Sequence, residues 1–203
     1  MQISLKQIEM KKYIFMTLFG ILFNSCSTTK ENETRNLERF DKVNLIGRVE
    51  LHLKRNPSNS MEIRTKNASD IPDLVTEVRN GELFIYHKND CDKCEKPKYI
   101  IYLNHSGVSD LKVNGVIKLI SDDVISQKDL IISGEGILKG NIKVSVDNLS
   151  TNINGISNIY ISGQADVANL KIAGIGMINA KSLETNSTNK STDGFATVLL
   201  PLN

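Results

Sequence analysis

The sequence of 203 residues contains no tryptophan, and its aromatic residues make up only 5% of the chain. Glycan-binding modules usually present flat aromatic platforms, so this scarcity weakens the case for a sugar-binding protein. In the repeated segment from Val113 to Val198, which is described below, only Tyr160 and Phe195 are aromatic. Ladders of Asn, Ser and Thr can also bind glycans, and glycan binding therefore stays an alternative.

The chain also lacks a large excess of charge of either sign. Its 25 basic and 23 acidic residues give a formal net charge of +2. Residues 1–25, which we interpret as a cleaved segment, hold three lysines and one glutamate, so 22 residues of each sign remain. A net charge near zero removes the argument for nucleic-acid binding, which depends on a basic surface. We therefore predict no nucleic-acid partner.

The apolar run near the N-terminus is too short to span a bilayer, which requires about 20 apolar residues. It covers the eleven residues Tyr13–Phe23, and two lysines precede it. A short apolar run after positive charges is typical of a secretory signal peptide. The sequence predicts a signal peptide over residues 1–25, beginning at Met1 or at Met10.

The apolar run ends in Asn24-Ser25-Cys26, and a small residue followed by cysteine resembles the relaxed lipobox of Bacteroidetes lipoproteins. The resemblance implies that Cys26 becomes the first residue and carries the lipid that anchors the protein. Because Ser27 is not aspartate, it also implies an outer-membrane lipoprotein, on the periplasmic face or on the cell surface. The alternative is an ordinary secretory signal with Cys26 as an incidental thiol.

Two further parts follow the signal peptide. Residues 26–38 are polar, with almost no apolar content, and such composition predicts a disordered tether. Residues 39–203 have the length of one domain.

Glycine recurs in this domain with a period close to twenty. Five stretches share an apolar residue or threonine two positions before a glycine and an apolar residue four positions after it. The glycines, spaced 19, 21, 19 and 20 residues apart, are Gly115, Gly134, Gly155, Gly174 and Gly194. A fixed period of this size indicates a repeat architecture in which each unit stacks on the previous one.

The spacing that recurs in the five stretches predicts strands. Residues two before and four after a glycine lie on one face of an extended chain, and β-branched side chains suit such a surface. We expect all-β architecture, a right-handed parallel β-helix of about 20-residue coils, with Ile132, Ile153 and Ile172 directly above one another. The alternative is an antiparallel sandwich with regular turns.

The segment from Phe40 to Leu103 is less regular but also strand-like. Apolar residues alternate with polar ones over several short runs, and Asn80-Gly81 predicts a tight hairpin between Val75–Val78 and Leu83–Tyr86. Ser69–Asp73 has the composition of a turn or a short helix. We expect this part to continue the β architecture and to cover the first end of the stack.

The repeated Ile-x-Gly-x-Gly-x-Ile pattern resembles the head GIN domain, a family of putative auto-transporter adhesins common in Bacteroidetes. The likeness runs from Phe40 to Leu200 and includes the opening Phe40-Asp41-Lys42-Val43. It implies a non-catalytic protein of the cell envelope that binds a protein or glycan ligand. The alternatives are a polysaccharide-active or glycan-binding envelope protein and a structural scaffold.

The repeats do not gather the residues of a catalytic site. Polysaccharide-active β-helices need carboxylates on one face of successive coils, whereas the residues after the five glycines are Val116, Glu135, Ile156, Ile175 and Phe195. All three histidines lie outside the repeats, and no Ser-His-Asp spacing is present. We predict no enzyme activity and no cofactor. The residues before the glycines, interpreted as turn chemistry or as an outward polar strip, are Asn114, Ser133, Asn154, Ala173 and Asp193.

The pair Cys91-x-x-Cys94 is the one local motif with chemical potential. A disulfide, or two unpaired thiols, is the interpretation we favour for a protein in an oxidising compartment. The alternative is a zinc site in which Cys91 and Cys94 join His87 and His105. A redox motif is a third interpretation, without the βαβ context that it requires.

Overall fold

The computed structural model describes residues 32–88 and 97–202. Extended backbone dominates these ranges, in the order β1 (Asn32–Asn36), β2 (Lys42–Arg55), β3 (Ser60–Thr65), β4 (Leu74–Arg79), β5 (Glu82–His87), β6 (Lys98–His105), β7 (Asp110–Ser121) and β8 (Ile125–Leu199). A 3₁₀ helix, Ala68–Asp73, precedes β4. The prediction of an all-β fold is confirmed. Within the described ranges, no helix has the length and apolar character needed to cross a membrane.

Parallel pairing builds the C-terminal part. β2 pairs with β7, and β7 pairs with the first residues of β8, so that Gly47, Gly115 and Gly136 lie side by side on three strands. The same close backbone approach continues inside β8, where Gly155 lies against Gly136, Gly174 against Gly155, and Gly194 against Gly174. The 75 residues of β8 therefore pass the same place once in each 19–20 residues.

Six glycines form one column along this stack, which we call the glycine column: Gly47, Gly115, Gly136, Gly155, Gly174 and Gly194. All six have positive φ, between 76° and 137°, a region that L-residues rarely adopt. From Gly115 onward, a Cβ atom would also lie closer than 3.0 Å to the carbonyl oxygen of the preceding column glycine. From Gly115 onward, the positive φ and the lack of room for a Cβ atom are thus two separate reasons for glycine.

The structure corrects one detail of the sequence-based register. Gly136, not Gly134, belongs to the glycine column, and Gly134 faces the interior, where an added Cβ would meet Val113 and Ile153. The inner column is therefore Leu45, Val113, Gly134, Ile153 and Ile172. Ile132 is buried beside Leu111 instead, so the expected direct stacking of Ile132 on Ile153 is wrong, while that of Ile153 and Ile172 is supported by the glycine contacts.

The N-terminal half makes the sheet mixed. The second edge of β2 pairs in parallel with β5 and with β6. Beyond them the pairing is antiparallel, from β6 to β3, from β3 to β1, and from β5 to β4. These strands cover the first end of the stack, as expected from the sequence. The sheet is therefore mixed, and the expectation of a parallel β-helix holds only for the parallel pairing of β2, β7 and β8; of the antiparallel pairs, β4–β5 is a hairpin, whereas β1–β3 and β3–β6 join strands distant in the chain.

The predicted hairpin is present. β4 and β5 pair from Arg79 with Glu82 to Leu74 with His87. Asn80 and Gly81 join them with φ values of 51° and 77°, the two positive values that a type I′ turn requires.

The predicted tether does not extend through residues 32–36, because these form β1 and pair with β3. Arg35 secures the strand from its side chain: one nitrogen, Nη1, donates to the carbonyl oxygen of Leu74 at 2.6 Å and to Thr76 Oγ1 at 2.9 Å. Nη2 donates to the carbonyl oxygen of Ile71 at 3.2 Å. β1 is therefore part of the folded domain.

The last coil closes the stack with polar residues. Lys190 and Thr192 are exposed at the positions where the coil before places the buried Leu170 and Ile172. A terminal repeat that differs in this way is typical of stacked architectures, since its outer face has no neighbour.

Candidate functional site

Exposed apolar side chains form a line along the stack. They follow the glycine column directly, and we call this row the apolar ladder: Val116, Ile137, Ile156, Ile175 and Phe195. Their exposed fractions are 46%, 36%, 52%, 56% and 88%. Half of the large apolar residues that are exposed in the described part of the chain belong to this row.

The alternation of the strands explains why these residues face solvent. Each column glycine occupies an inward position, so the residue that follows points outward. Val116 and Ile137 are direct partners of the β7–β8 pairing, and the glycine contacts carry the same register to the later coils. At a strand spacing of about 4.8 Å, five rungs extend over about 19 Å. A contiguous exposed apolar surface on a folded protein marks an interaction site.

The sequence-based register concealed this row. It placed Glu135 after a column glycine, whereas the structure places Ile137 there and Glu135 before Gly136. The polar row before the glycine column is correspondingly Asn114, Glu135, Asn154, Ala173 and Asp193. The available signal was the Gly-x-Gly pair at Gly134 and Gly136, which allows two registers that differ by two residues.

Charged side chains flank the apolar ladder on both sides. Three residues before the glycine column lie Lys112 and Lys171, and three residues after it lie Lys118 and Lys139. Lys118 Nζ is 3.0 Å from Glu50 Oε1, and Lys112 Nζ is 3.8 Å from Glu82 Oε1. The ladder is thus an apolar row with a polar rim, which is the arrangement of protein–protein interfaces.

A polar groove on another face of the stack is a second candidate. Its volume is about 490 Å³, and its lining comes from four coils: Ser126, Gln127, Ser145, Val146, Asp147, Gln164, Ala165, Asp166, Glu184, Thr185 and Asn186. Gln164 donates to Glu184 at 3.2 Å, and Asn186 donates to Asp166 at 3.1 Å. Hydrogen-bonding groups repeated at the coil spacing suit a chain of polar units such as a glycan.

A third cluster, around Glu50 and His52, has a structural role. His52 Nε2 lies 3.3 Å from Glu50 Oε1 and His52 Nδ1 lies 3.1 Å from Asp122 Oδ1. The His52 ring stacks on the Tyr102 ring with 4.6 Å between the ring centres, and the Arg64 guanidinium carbon lies 4.4 Å from the centre of the Tyr102 ring. This Tyr102 ring is therefore engaged by neighbours and does not offer a free platform to a sugar.

The electrostatics of Glu50 agree with that role. Burial opposes its ionisation, but hydrogen bonds from Lys118, His52 and Lys98 outweigh burial and lower the pKa of Glu50. The carboxylate is therefore charged and engaged, a poor arrangement for a general acid, which needs a raised pKa.

Of the four predicted zinc ligands, the structure describes only His87 and His105, and these two lie apart. Cys26, Cys91 and Cys94 lie outside the described residues, so the lipidation and the disulfide stay predictions. The His87 ring lies 6.3 Å from the Tyr99 ring at the start of β6, whereas His105 ends that strand, about 20 Å further along. One metal ion cannot bind both histidines. Among the residues that the structure describes, no three His, Cys, Asp or Glu side chains could hold a metal ion.

His105 is instead an interior residue with an unusual environment. Its side chain is 3% exposed, and its Nδ1 atom has no hydrogen-bond partner in the described parts of the chain. Burial lowers the pKa of His105, and the nearby Arg55 charge lowers it further, against a smaller opposing effect of Asp123. The imidazole is therefore neutral in the folded protein.

Comparison with known proteins places residues 39–200 in one family, described as putative auto-transporter adhesin, head GIN domain. A putative adhesin from Bacteroides fragilis has a TM-score of 0.74 and 18% identity, over 84% of this chain and 80% of that one. A putative adhesin from Parabacteroides distasonis has a TM-score of 0.73 and 16% identity, over 84% and 81%.

A further solved structure, a putative lipid binding protein from Parabacteroides distasonis, has a TM-score of 0.60 and 17% identity. It is matched over 84% of this chain and 96% of that one. No curated protein matches the chain. At these identities, the structural likenesses show a shared fold.

Proposed function

The chain belongs to the head GIN domain family of putative auto-transporter adhesins, and we propose that it is a non-catalytic, lipid-anchored protein of the cell envelope that binds its partner through the apolar ladder. Membership of an adhesin-like family supports a place at the envelope or the surface. The apolar ladder is the observation that carries the proposal, because it is exposed, contiguous and bordered by polar residues.

The exposed apolar area of the ladder limits the binding free energy that it can contribute. The exposed fractions of the five side chains add up to about 2.8 complete side chains. At about 1.5–3 kcal/mol for each buried side chain, covering them contributes about 4–8 kcal/mol. Association costs about 4–15 kcal/mol in lost freedom. The ladder alone therefore supports a weak contact, and the polar rim has to add to it.

The anchor in this proposal is lipid on Cys26, as the lipobox resemblance implies. Acyl chains contribute about 0.8 kcal/mol for each buried methylene, and several chains on one cysteine anchor stably. Since β1 begins at Asn32, the six steps of chain from Cys26 can span at most about 20 Å. The folded domain would thus lie close to the outer membrane, on its periplasmic or its outer face.

We also propose that the stack winds in the right-handed sense. Connections between parallel strands of one sheet are right-handed in about 98% of cases, and the parallel pairing of β2, β7 and β8 makes this rule applicable here. An experimental structure in which successive coils are connected in the left-handed sense would contradict this part of the proposal.

The experiment uses cells that display the full chain and measures their binding to immobilised collagen, mucin and a glycan array. Ile156→Lys introduces a charge at the middle of the apolar ladder and is expected to abolish binding. Asn141→Lys introduces the same charge at an exposed outward position off the ladder and is expected to bind as the unmodified chain does. Equal binding by all three chains would contradict a role for the ladder.

Glycan binding in the polar groove is the second candidate function. The observation that favours it is the row of amide, hydroxyl and carboxylate groups from four coils, with Asp166 and Glu184 each accepting a hydrogen bond from a neighbouring coil. On the glycan array, Asp166→Asn would then reduce binding while Ile156→Lys would not. The opposite pattern would assign binding to the ladder. Release of reducing sugar from an array glycan would indicate a polysaccharide-active protein.

A further inference from the structure

We infer that a cleft at the two ends of β2 binds an acidic sugar, and that the polar groove holds the neutral part of the same glycan. The inference rests on the second candidate function, glycan binding in the polar groove. It adds the chemical class of the sugar and the place where its charge binds, in a part of the molecule that the groove does not include.

The cleft lies where the first coil of the stack is left open. β2 runs from Lys42 to Arg55 and pairs with β7 over most of its length, but the chain then leaves for β3 and does not close the coil. The segments on either side of β2 line the cleft together with part of the β6–β7 connection. Its volume of about 770 Å³ is in the range of small-molecule sites, about 300–1,000 Å³.

Hydrogen bonds hold the walls of the cleft in place. Ser109 donates from its backbone nitrogen to the carbonyl oxygen of Asp41 at 2.7 Å. On the other wall, the side-chain oxygen of Asn59 accepts from the backbone nitrogen of Ser106 at 2.9 Å. The cleft is therefore formed before a ligand binds, which reduces the free energy lost in ordering the site.

Two guanidinium groups give the cleft its charge. Arg39 is exposed, and it has no hydrogen bond or ion pair with any residue that the structure describes. Arg55 donates from Nη1 to the carbonyl oxygen of Ser126 at 2.9 Å, which leaves Nε and Nη2 for a ligand. The Asp123 carboxylate accepts from the backbone nitrogen of Arg55 at 3.1 Å. Asp41 is the acidic member of the lining, so positive charge is in excess.

The other polar groups of the lining favour a sugar that carries a carboxylate. A guanidinium group binds a carboxylate through two parallel hydrogen bonds. The side-chain amides of Asn56 and Gln127 and the hydroxyl group of Ser106 belong to the same lining, and such groups bind hydroxyls. A ligand with one carboxylate and several hydroxyls, such as glucuronic acid, uses both kinds of partner.

Gln127 joins the cleft to the polar groove. This residue lines both, and its side-chain amide lies over Gly107, where an added Cβ atom would meet Nε2. Ser126, which lines the groove, also holds Arg55 through its carbonyl oxygen. One ligand can therefore extend from the cleft along the groove, whose four coils cover three strand spacings, about 14 Å.

The charges of the groove and the cleft are opposite. The groove lining includes Asp147, Asp166 and Glu184, and the lining residues that the structure describes there include no base. A chain of acidic sugars would place negative charges beside these carboxylates, which is unfavourable. Neutral sugars instead offer hydroxyl donors to them. The ligand is thus a neutral glycan with one acidic sugar at its end.

Labelled oligosaccharides added to cells that display the full chain test the inference. The probes are four trisaccharides, of glucose, galactose, mannose or N-acetylglucosamine, each extended by a terminal glucuronic acid. The matched ligand for each is its methyl ester, which lacks the charge. At least one acid should bind about tenfold more tightly than its ester. No preference for the acid in any of the four pairs would overturn the inference.

Substitutions in the cleft locate the charge. Arg39→Gln and Arg55→Gln are each expected to weaken binding of the acid about tenfold and to leave binding of the ester unchanged. Lys54→Gln is the matched control, because Lys54 is exposed, adjacent in sequence and not part of the lining. Arg55→Gln also loses the bond to Ser126, so Arg39→Gln decides if the other variant does not fold. Undiminished acid preference in Arg39→Gln, or an equal loss in Lys54→Gln, would overturn the inference.

Two competitors test the extent of the ligand and its charge pattern. Free glucuronate should compete at least about tenfold less strongly than the acidic tetrasaccharide, because it does not reach the groove. Equal competition would overturn the extension into the groove. Tetragalacturonate, which has the same length and four carboxylates, should compete less strongly than the singly charged probe. Stronger competition by tetragalacturonate would overturn the choice of a neutral chain.

The same ligands separate the inference from the proposed functions. Ile156→Lys, which tests the apolar ladder, should bind the acidic tetrasaccharide as the unmodified chain does. Asp166→Asn, which tests the groove, should weaken the acid and its ester alike. Weaker binding in Asp166→Asn without any preference for the acid would keep the groove as a glycan site and reject the cleft. A preference that is lost in Arg39→Gln and insensitive to Asp166→Asn would support the cleft and reject the groove.

Discussion

Replacing Gly136 by alanine should destabilise the fold strongly, and replacing Gly134 should not. The two positions lie in the same coil, two residues apart, and the change adds the same methyl group at each. Gly136 has φ of +101°, and a Cβ atom there would lie closer than 3.0 Å to the carbonyl oxygen of Gly115. Neither backbone can withdraw without breaking the pairing between coils.

The magnitude follows from two costs. An L-residue in a sparsely populated backbone region costs about 1–3 kcal/mol, and forcing an extra group into a packed site costs about 1–3 kcal/mol. Gly136→Ala should therefore cost about 2–6 kcal/mol, a large share of the roughly 5–15 kcal/mol typical of a domain. At Gly134 the nearest atoms would be Leu138 Cδ2 at 2.9 Å and Val113 Cγ2 at 3.2 Å, both ends of side chains and not backbone, so only a packing cost at the low end, about 1 kcal/mol, is expected.

Urea unfolding of the chain from residue 27 onward, followed by circular dichroism, provides the measurement. This length keeps β1, whose removal would confuse the comparison. The midpoint for Gly136→Ala should fall well below that of the unmodified chain, and the midpoint for Gly134→Ala should stay close to it. An equal or larger loss for Gly134→Ala would refute the register and, with it, the apolar ladder.

Three further predictions concern residues away from the glycine column. Burial lowers the pKa of His105 below its unfolded value of about 6.5. The contribution of the neutral imidazole to the free energy of unfolding is therefore fully present above about pH 6.5, and it is lost as the pH falls from there towards the folded pKa. Urea midpoints measured between pH 8 and 5 should therefore decline on acidification, less steeply in His105→Leu; parallel profiles would contradict this. Arg35→Ala removes three hydrogen bonds to the 3₁₀ helix and β4 and should cost about 1–3 kcal/mol, whereas Arg39→Ala serves as its exposed control; an unchanged midpoint would show that these three bonds do not stabilise the domain. Cys26→Ala should abolish incorporation of labelled palmitate and release the protein from membranes, and retained label would exclude lipidation at this residue.

The zinc interpretation illustrates a limit of sequence spacing. His87 and His105 are near the cysteine pair in the chain, but β6 intervenes, and a strand separates its ends by the full length of the extended backbone. The tether illustrates another limit: residues 32–36 are polar, yet Arg35 and the backbone of β1 find partners on β3, β4 and the 3₁₀ helix. Polar composition predicts solvent exposure only where no neighbouring edge accepts the hydrogen bonds.

Residue spacing and turn chemistry, which act locally, were sufficient to predict the period near twenty, the inward apolar columns and the Asn80-Gly81 hairpin. The place of Gly136, instead of Gly134, in the glycine column is visible only in the folded chain, and so is the place of Ile137, instead of Glu135, in the ladder. Coil lengths vary between 19 and 21 residues, so the register depends on which glycine backbone can approach the coil beneath it. That contact joins residues about twenty positions apart, and no local pattern records it.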